Sequence, residues 1–190
     1  AICQSKIADI LEARGQLDEA LRIHQQESLP AFMRLGDVCA VAICQGRIAD
    51  IFQARGQLDE ALRILQQKSL PTLKQLGAVR EIAACQSKIA DILQARGRFD
   101  EALWILQQES LPAFLQLGAV REIALIQGRI ADILRGCGQL DEALRIHEQE
   151  ELPIYLRLGD VHSVAVTRRE IADILQARGQ LDEALRILEQ

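Results

Sequence analysis

The stretch Ile89-Ala-Asp-Ile-Leu-Gln-Ala-Arg-Gly-Arg-Phe-Asp-Glu-Ala-Leu103 decides the fold, because near-copies of it recur along the whole chain. A fixed period of this kind is typical of stacked supersecondary units, each of which buries its apolar face against its neighbours. The near-copies begin at Ile7, Ile48, Ile130 and Ile171, so that together with Ile89 the starts are 41 residues apart. The four prolines keep the same spacing at Pro30, Pro71, Pro112 and Pro153.

The composition favours a helical protein and argues against two classes of partner. The chain has 190 residues, of which 49% are hydrophobic, 3% aromatic and 26% charged. A net charge of −5 argues against nucleic acid, because phosphate binding needs clustered Lys and Arg. The longest apolar run, residues 38–44, is far shorter than the roughly 20 residues that span a bilayer, so we expect no membrane segment.

The cysteines indicate structural thiols rather than a disulfide framework. They are five in number and form no CxxC motif. Cys3, Cys44 and Cys85 share one repeat position, which Ile126 and Thr167 fill in later copies, so this position favours a small buried side chain. We therefore expect a reducing, cytoplasmic location.

The second copy shows how one unit is built. Asp37 precedes an apolar pattern with helical period and is a candidate N-cap, whereas Ala78 and Ala119 at the same position have no side chain that caps. Gly56 closes this first helix, and a second helix begins near Leu58.

A proline interrupts the apolar pattern of the second helix. Pro71 lacks an N–H donor and its ring clashes with the preceding turn, which costs about 3 kcal/mol in a straight helix. Two outcomes remain open: a kinked helix, or a break after which Pro71 starts a short continuation.

The unit resembles the tetratricopeptide repeat. The family pattern is matched at Ile48, Ala49, Phe52, Gly56, Leu58 and Ala61, and in the first copy at Ile7, Ala8, Leu11, Gly15, Leu17 and Ala20. The usual unit has 34 residues. The period of 41 resembles the long repeats of kinesin light chains and bacterial arrays, with about two helical turns added. The resemblance implies an all-α, right-handed solenoid of ten helices in antiparallel hairpins.

The repeat boundaries follow from this pattern. We expect one solenoid over residues 1–190, with partial repeats at 1–36 and 160–190 and full repeats at 37–77, 78–118 and 119–159. The first and last repeats are truncated, so we expect a fragment of a longer array.

The resemblance also implies a binding surface. In the family, the first helix of each unit lines a concave groove that binds a peptide. On the first four of these helices a cation precedes a carboxylate by three residues, which places the two side chains together. The fifth copy breaks this pattern at residues 168–173, which indicates either a local specificity patch or drift. The chaperone-binding members have Lys and Asn where this chain has Ser5 and Asp9, so chaperone C-termini are not the expected ligand. The candidate groove residues, called the charge ladder below, are Lys6, Asp9, Arg47, Asp50, Lys88, Asp91, Arg129, Asp132, Arg169 and Asp173.

No motif indicates catalysis, a metal or a cofactor. Asp18 and Glu19 recur in every repeat, as expected for charges at a helix start, and catalysis needs one distinct constellation. His24 and His147 are three repeats apart, too far to share a metal. We expect a non-enzymatic scaffold for a protein or peptide. The alternative is an architectural spacer or self-assembling rod, in which the ladder is a self-neutralising surface.

Truncated repeats at both ends predict end-to-end association. Apolar faces that lack a neighbouring repeat should contact the end of another molecule. Light scattering over a concentration series should then show a mass that rises with concentration. A constant monomer mass throughout the series would contradict this expectation.

Overall fold

The computed structural model describes residues 2–189, which form ten helices and no strand. The first helix of each repeat, the A helix, starts 41 residues after the preceding one from Val38 onward. The predicted all-α repeat fold is therefore confirmed. In chain order the helices are α1 Ile2–Ala13, α2 17–35, α3 Val38–Ala54, α4 58–76, α5 Val79–Ala95, α6 99–116, α7 Val120–Gly136, α8 140–158, α9 Val161–Ala177 and α10 Leu181–Leu188.

The helices group into two compact units, Ala1–Arg98 and Phe99–Gln190. In unit 1, α1 packs on α2 and α3 packs on the second, or B, helix α4, which also contacts α5. In unit 2, α7 packs on α8, and α9 packs on both α8 and α10. Each unit therefore consists of hairpins in which the A helix of one repeat also contacts the B helix of the repeat before it.

Glycines close the helices, as predicted. The backbone of Gly56 has φ +73°, and that of Gly77 has φ +64°, a left-handed conformation that favours glycine. The remaining glycines at turns share this conformation: Gly15, Gly36, Gly97, Gly118, Gly138, Gly159 and Gly179.

Two of the A helices have the predicted aspartate cap. An Oδ1 atom of Asp37 accepts a hydrogen bond of 2.9 Å from the N–H of Ala40, and Asp160 accepts one of 3.1 Å from Ser163. Ala78 and Ala119 occupy the same position without a side-chain cap.

The core consists of one apolar face from each helix. Ala61 is fully buried, as are Ala20, Ala102 and Ala143 at the equivalent position, so the two helices of a hairpin approach closely there. The aromatic side chains that follow the prolines, Phe32, Phe114 and Tyr155, are also buried, as is Leu73.

The B helices accommodate their prolines by a π-helical turn, so the chain does not break there. In α4 the turn is Leu65–Ser69, and the N–H of Leu70 bonds the carbonyl of Leu65, five residues earlier. Leu70 keeps right-handed helical dihedrals, φ −60° and ψ −46°. The wider turn relieves the contact between the ring of Pro71 and the carbonyl four residues before it. The same turn precedes Pro30, Pro112 and Pro153 at His24–Ser28, Leu106–Ser110 and His147–Glu151.

A buried hydroxyl fastens this turn to the neighbouring helix. The Oγ of Ser69 donates a hydrogen bond of 2.9 Å to the carbonyl of Ala42 on α3. Because Ser69 is buried, this bond satisfies a polar group that would otherwise be costly. It also fixes the part of α4 that faces α3.

Within residues 2–189, no helix combines the length and apolar character that a bilayer span requires.

Exchanging the cap residues should change stability in opposite directions. Asp37→Ala should lower the free energy of unfolding by about 1 kcal/mol, because the N–H of Ala40 loses its partner. Ala78→Asp should raise it by up to about 1 kcal/mol. The backbone of Ala78 (φ −77°, ψ 77°) already matches that of Asp37 (φ −81°, ψ 83°), so the new carboxylate can cap. Thermal unfolding followed by circular dichroism measures both changes, and an unchanged midpoint for Asp37→Ala would contradict the role of the cap.

Candidate functional site

The charge ladder lies on the A helices, on surfaces that are exposed or half-buried. Lys6, Arg47, Arg169 and Asp173 are exposed, and the other six residues are half-buried. In unit 1 the ladder runs over α1, α3 and α5, and in unit 2 over α7 and α9.

In unit 1 a short ladder contact joins neighbouring A helices. The Nζ of Lys88 on α5 donates a 2.6 Å hydrogen bond to Asp50 on α3. Arg47 lies 4.0 Å from Asp50, its predicted partner, and 3.9 Å from Asp9 on α1. The predicted pairing of Arg47 with Asp50 within α3 is present, and the cations of α3 and α5 also reach the carboxylate of the preceding A helix.

In unit 2 the ladder is rebuilt with a different cation. Glu170 occupies the position that Lys and Arg hold in the earlier repeats. At this position a carboxylate, instead of a cation, would face Asp132 on the preceding A helix. Arg135 on α7 compensates: it contacts Glu170 at 2.9 Å, Asp132 at 3.3 Å and Asp173 at 3.8 Å. Burial and the charge of Glu170 raise the pKa of Asp132. Arg169 pairs with Glu170 at 2.6 Å, so the fifth repeat departs from the pairing pattern of the earlier ones.

Sequence reasoning missed a second set of ion pairs, at the turns. The arginine that ends one A helix pairs with the aspartate that starts the preceding B helix. Arg96 contacts Asp59 at 2.9 Å, Arg178 contacts Asp141 at 3.2 Å, and Arg55 contacts Asp18. Cys137 replaces this arginine in repeat 119–159, so that within the described residues of unit 2 the corresponding Asp100 has no such partner. The spacing of 37 residues in every pair was the available signal.

An open cleft of about 320 Å³ lies between α3 and α5, which we call the unit-1 cleft. Its floor is apolar, formed by the buried side chains of Leu65 and Leu73 from α4. Exposed Ile43 and Ala84 line its walls. Its charged lining residues are Arg47, Arg80, Glu81 and Lys88.

A glycine keeps the unit-1 cleft open. Gly46 lies inside α3, where a Cβ atom would meet only the Nζ of Lys88, at 3.8 Å. A larger residue at this position would therefore extend into the cleft. Because no left-handed backbone requires glycine here, the residue contributes open space rather than a turn.

The equivalent place in unit 2 is filled by a carboxylate of the chain itself. Glu151 stands where Ser69 stands in unit 1, and Gly128 stands where Gly46 does. The Oε1 of Glu151 lies only 2.5 Å from the position that a Cβ on Gly128 would take. Its Oε2 lies 2.6 Å from Nδ1 of the buried His147. Burial, with the nearby charge of Glu151, raises the pKa of Tyr155 to about 12, so the phenol stays neutral.

A cysteine, a histidine and an aspartate lie together in unit 1 without the properties of a nucleophilic site. The Sγ of Cys44 is 3.7 Å from Nδ1 of His24, whose Nε2 is 3.9 Å from Asp9. Burial raises the pKa of Cys44 to about 11 and lowers the pKa of His24. A cysteine nucleophile requires a thiolate beside an imidazolium, and both shifts oppose that pair. Among residues 2–189, no three His, Cys, Asp or Glu side chains are placed to hold a metal ion.

The sequence matches a family model over residues 2–190, and that model describes the MalT-like TPR region. The chain belongs to this family. Its repeated A and B helices, glycine turns and buried alanines are therefore those of a MalT-like TPR region. Comparison with curated proteins finds no match.

Solved structures similar to this MalT-like TPR region agree on the fold. The Podosopora anserina kinesin light chain with nearly identical TPR-like repeats is 23% identical, with a TM-score of 0.75 over 98% of this chain and 90% of that chain. BtubC (BKLC) from P. vanneervenii is 18% identical, with a TM-score of 0.82 over 98% of this chain and 76% of that chain. The Rap conjugation gene regulator of plasmid pLS20, solved with the Phr* peptide, is 18% identical with a TM-score of 0.76. That match covers 96% of this chain and 49% of the regulator, about half its length.

The two helical glycines of this TPR region should respond oppositely to a methyl group. Gly128→Ala should lower the free energy of unfolding by about 1–3 kcal/mol, because the new Cβ overlaps the Glu151 carboxylate. Gly46→Ala, at the same repeat position, should raise it by up to about 1 kcal/mol, because alanine favours the helix and meets no close atom.

Urea unfolding of both variants measures these changes. A third variant isolates the cause: in a Glu151→Ser background, Gly128→Ala should lose most of its cost, since the overlapping carboxylate is gone. An equal cost of Gly128→Ala in both backgrounds would show that the carboxylate is not the obstacle.

Proposed function

We propose that this TPR region is a non-enzymatic scaffold that binds a protein or peptide with the surface of its A helices. The observation that carries the proposal is the unit-1 cleft, which opens between two A helices, α3 and α5, and has an apolar floor beneath charged walls. A volume of about 320 Å³ lies at the lower end of the range for ligand pockets, which suits one or two side chains of a peptide.

The state of the ladder residues supports binding at this surface. Arg47 is exposed, and its ion pairs of 3.9 and 4.0 Å are longer than hydrogen bonds. Within residues 2–189 its guanidinium makes no hydrogen bond, so the donors remain available to a partner. Asp50 is already engaged by Lys88, which makes it a positioning residue for the lysine.

Two further observations favour a binding role over catalysis. Burial raises the pKa of Cys44 to about 11 and that of Tyr155 to about 12, so both of these buried groups stay neutral. A structural relative, the Rap regulator, was solved in complex with the Phr* peptide, and we extend peptide binding from that protein to this chain. The extension concerns the type of ligand and not its sequence.

The rival is an architectural spacer without a ligand. The contacts between ladder residues of neighbouring A helices favour it, since charges paired within the chain keep a surface soluble without binding anything. The scaffold and the spacer differ in how they should respond to a charge reversal at Arg47. A spacer should tolerate this change as readily as a charge reversal away from the cleft, whereas a scaffold should lose affinity for its peptide.

An unbiased selection tests this difference. The full chain is immobilised, a random peptide library displayed on phage is selected on it, and the affinity of recovered peptides is measured by fluorescence anisotropy. Arg47→Glu should weaken these peptides about tenfold or more, because it reverses the charge beside the cleft. Arg63→Glu is the matched control: Arg63 is exposed on the B helix α4, where it bonds Glu60 and does not line the cleft.

The outcomes separate the two functions. Peptides that are lost with Arg47→Glu and retained with Arg63→Glu support the binding surface. Recovery of no peptide, or equal affinities for wild type and Arg47→Glu, would favour the spacer. Thermal unfolding of both variants shows whether either change acts through the fold.

A further inference from the structure

The unit-1 cleft and its equivalent in unit 2 differ in a way that indicates what the open one binds. In unit 2 the space beside Gly128 holds the Glu151 carboxylate, within 2.5 Å of the Cβ position on Gly128. In unit 1 the residue equivalent to Glu151 is Ser69, whose hydroxyl points to the carbonyl of Ala42. No carboxylate of the described chain lies within 4 Å of the Cβ position on Gly46.

The charged residue next to the helical glycine also differs between the two units. In unit 1 the ammonium of Lys88 lies 3.8 Å from the Cβ position on Gly46. In unit 2 the residue equivalent to Lys88 is Glu170. In unit 2, where the Glu151 carboxylate fills the space beside Gly128, the equivalent of Lys88 is therefore a glutamate. In unit 1, where the space beside Gly46 holds no carboxylate of the described chain, the lysine is present.

Lys88 has donors left for a second anion. Its ammonium carries three N–H groups, and the contact with Asp50 at 2.6 Å uses one of them. Arg47 on α3 also lines the cleft and makes no hydrogen bond inside the described chain. The cations that line the cleft are Arg47, Arg80 and Lys88, beside the carboxylate of Glu81, whereas Asp9 and Asp50, which pair with Arg47 and Lys88, are not among the lining residues.

The apolar lining of the cleft favours an apolar group in the ligand. Leu65 and Leu73 are buried beneath the cleft, whereas Ile43 is 45% exposed and Ala84 is also exposed. An anion alone would leave Ile43 and Ala84 in contact with water. A ligand that places an aliphatic side chain on Ile43 and a carboxylate beside Lys88 would satisfy both parts.

We propose that the unit-1 cleft binds an acidic peptide segment, in which a Glu or Asp side chain occupies the space beside Gly46 and pairs with Lys88 and Arg47, while a neighbouring aliphatic side chain covers Ile43. The peptide carboxylate takes the place that Glu151 fills in unit 2. This inference rests on the proposed function and adds the chemistry of the ligand.

A designed peptide tests the chemistry directly. The probe is a short peptide that alternates Glu and Leu between Gly-Ser ends, acetylated and amidated so that no terminal charge takes part. Its binding to the full chain is measured by fluorescence anisotropy. Two companion peptides replace every Glu by Gln, or every Leu by Ser. Each replacement should weaken binding about tenfold or more, and added salt should weaken the Glu peptide.

Two glycine variants test the place. Gly46→Leu fills the cleft and should weaken the Glu-Leu peptide about tenfold or more. Gly136→Leu is the matched control, because Gly136 is also helical, has open space around it and does not line the cleft. The affinity of Gly136→Leu for the Glu-Leu peptide should stay within about twofold of that of wild type. Melting curves show whether Gly46→Leu keeps the fold.

The results distinguish this inference from the proposed function. Equal binding of the Glu and Gln peptides, or full affinity of Gly46→Leu, would overturn the acidic ligand. If the unbiased selection still yields peptides that depend on Arg47, the binding surface stands and only its chemistry is wrong. If neither the selection nor the designed peptide gives binding, both proposals fail together.

Discussion

The close approach of the two helices in each hairpin is the constraint on which the other contacts depend. Ala49 on α3 and Ala61 on α4 have almost no exposed surface, and a larger residue in a close-packed interior forces neighbouring side chains out of place. With α3 and α4 held close, Ser69 reaches the carbonyl of Ala42, and Leu73 lies under the gap between α3 and α5. The cleft is therefore a consequence of hairpin packing and not of a separate loop.

Much of the fold could be predicted because local geometry decides it. The period follows from repeated residues, Gly56 ends a helix by its own backbone conformation, and Asp37 caps the next turn of its own segment. The charge pairing could not be predicted in the same way. Lys88 and Asp50 are 38 residues apart, and their contact depends on how far one A helix is shifted along the next. A side-chain pattern within one helix contains no information about that shift.

The sequence predicted that charged residues lie on the A helices, but it did not predict that the Glu151 carboxylate fills the space beside Gly128. The sequence does show that Glu151 replaces the serine found at the equivalent position of the earlier repeats. The exchange has meaning only beside Gly128, 23 residues earlier, whose missing side chain leaves room for the carboxylate. Arg135 and Glu170 form a second such pair of compensating differences. Repeats that share one backbone have thus acquired different surfaces through paired substitutions.

The π-helical turn before each proline has a consequence for how such arrays change over time. A single π turn amounts to one residue more than a regular α-helix needs, taken up locally while the flanking segments stay helical. A gain or loss of one residue at Leu65–Ser69 therefore has a place to be absorbed, and the apolar sides before and after it keep facing the core. Duplicated genes that drift in length by one codon at this point can retain a working architecture, so neighbouring modules need not share one period.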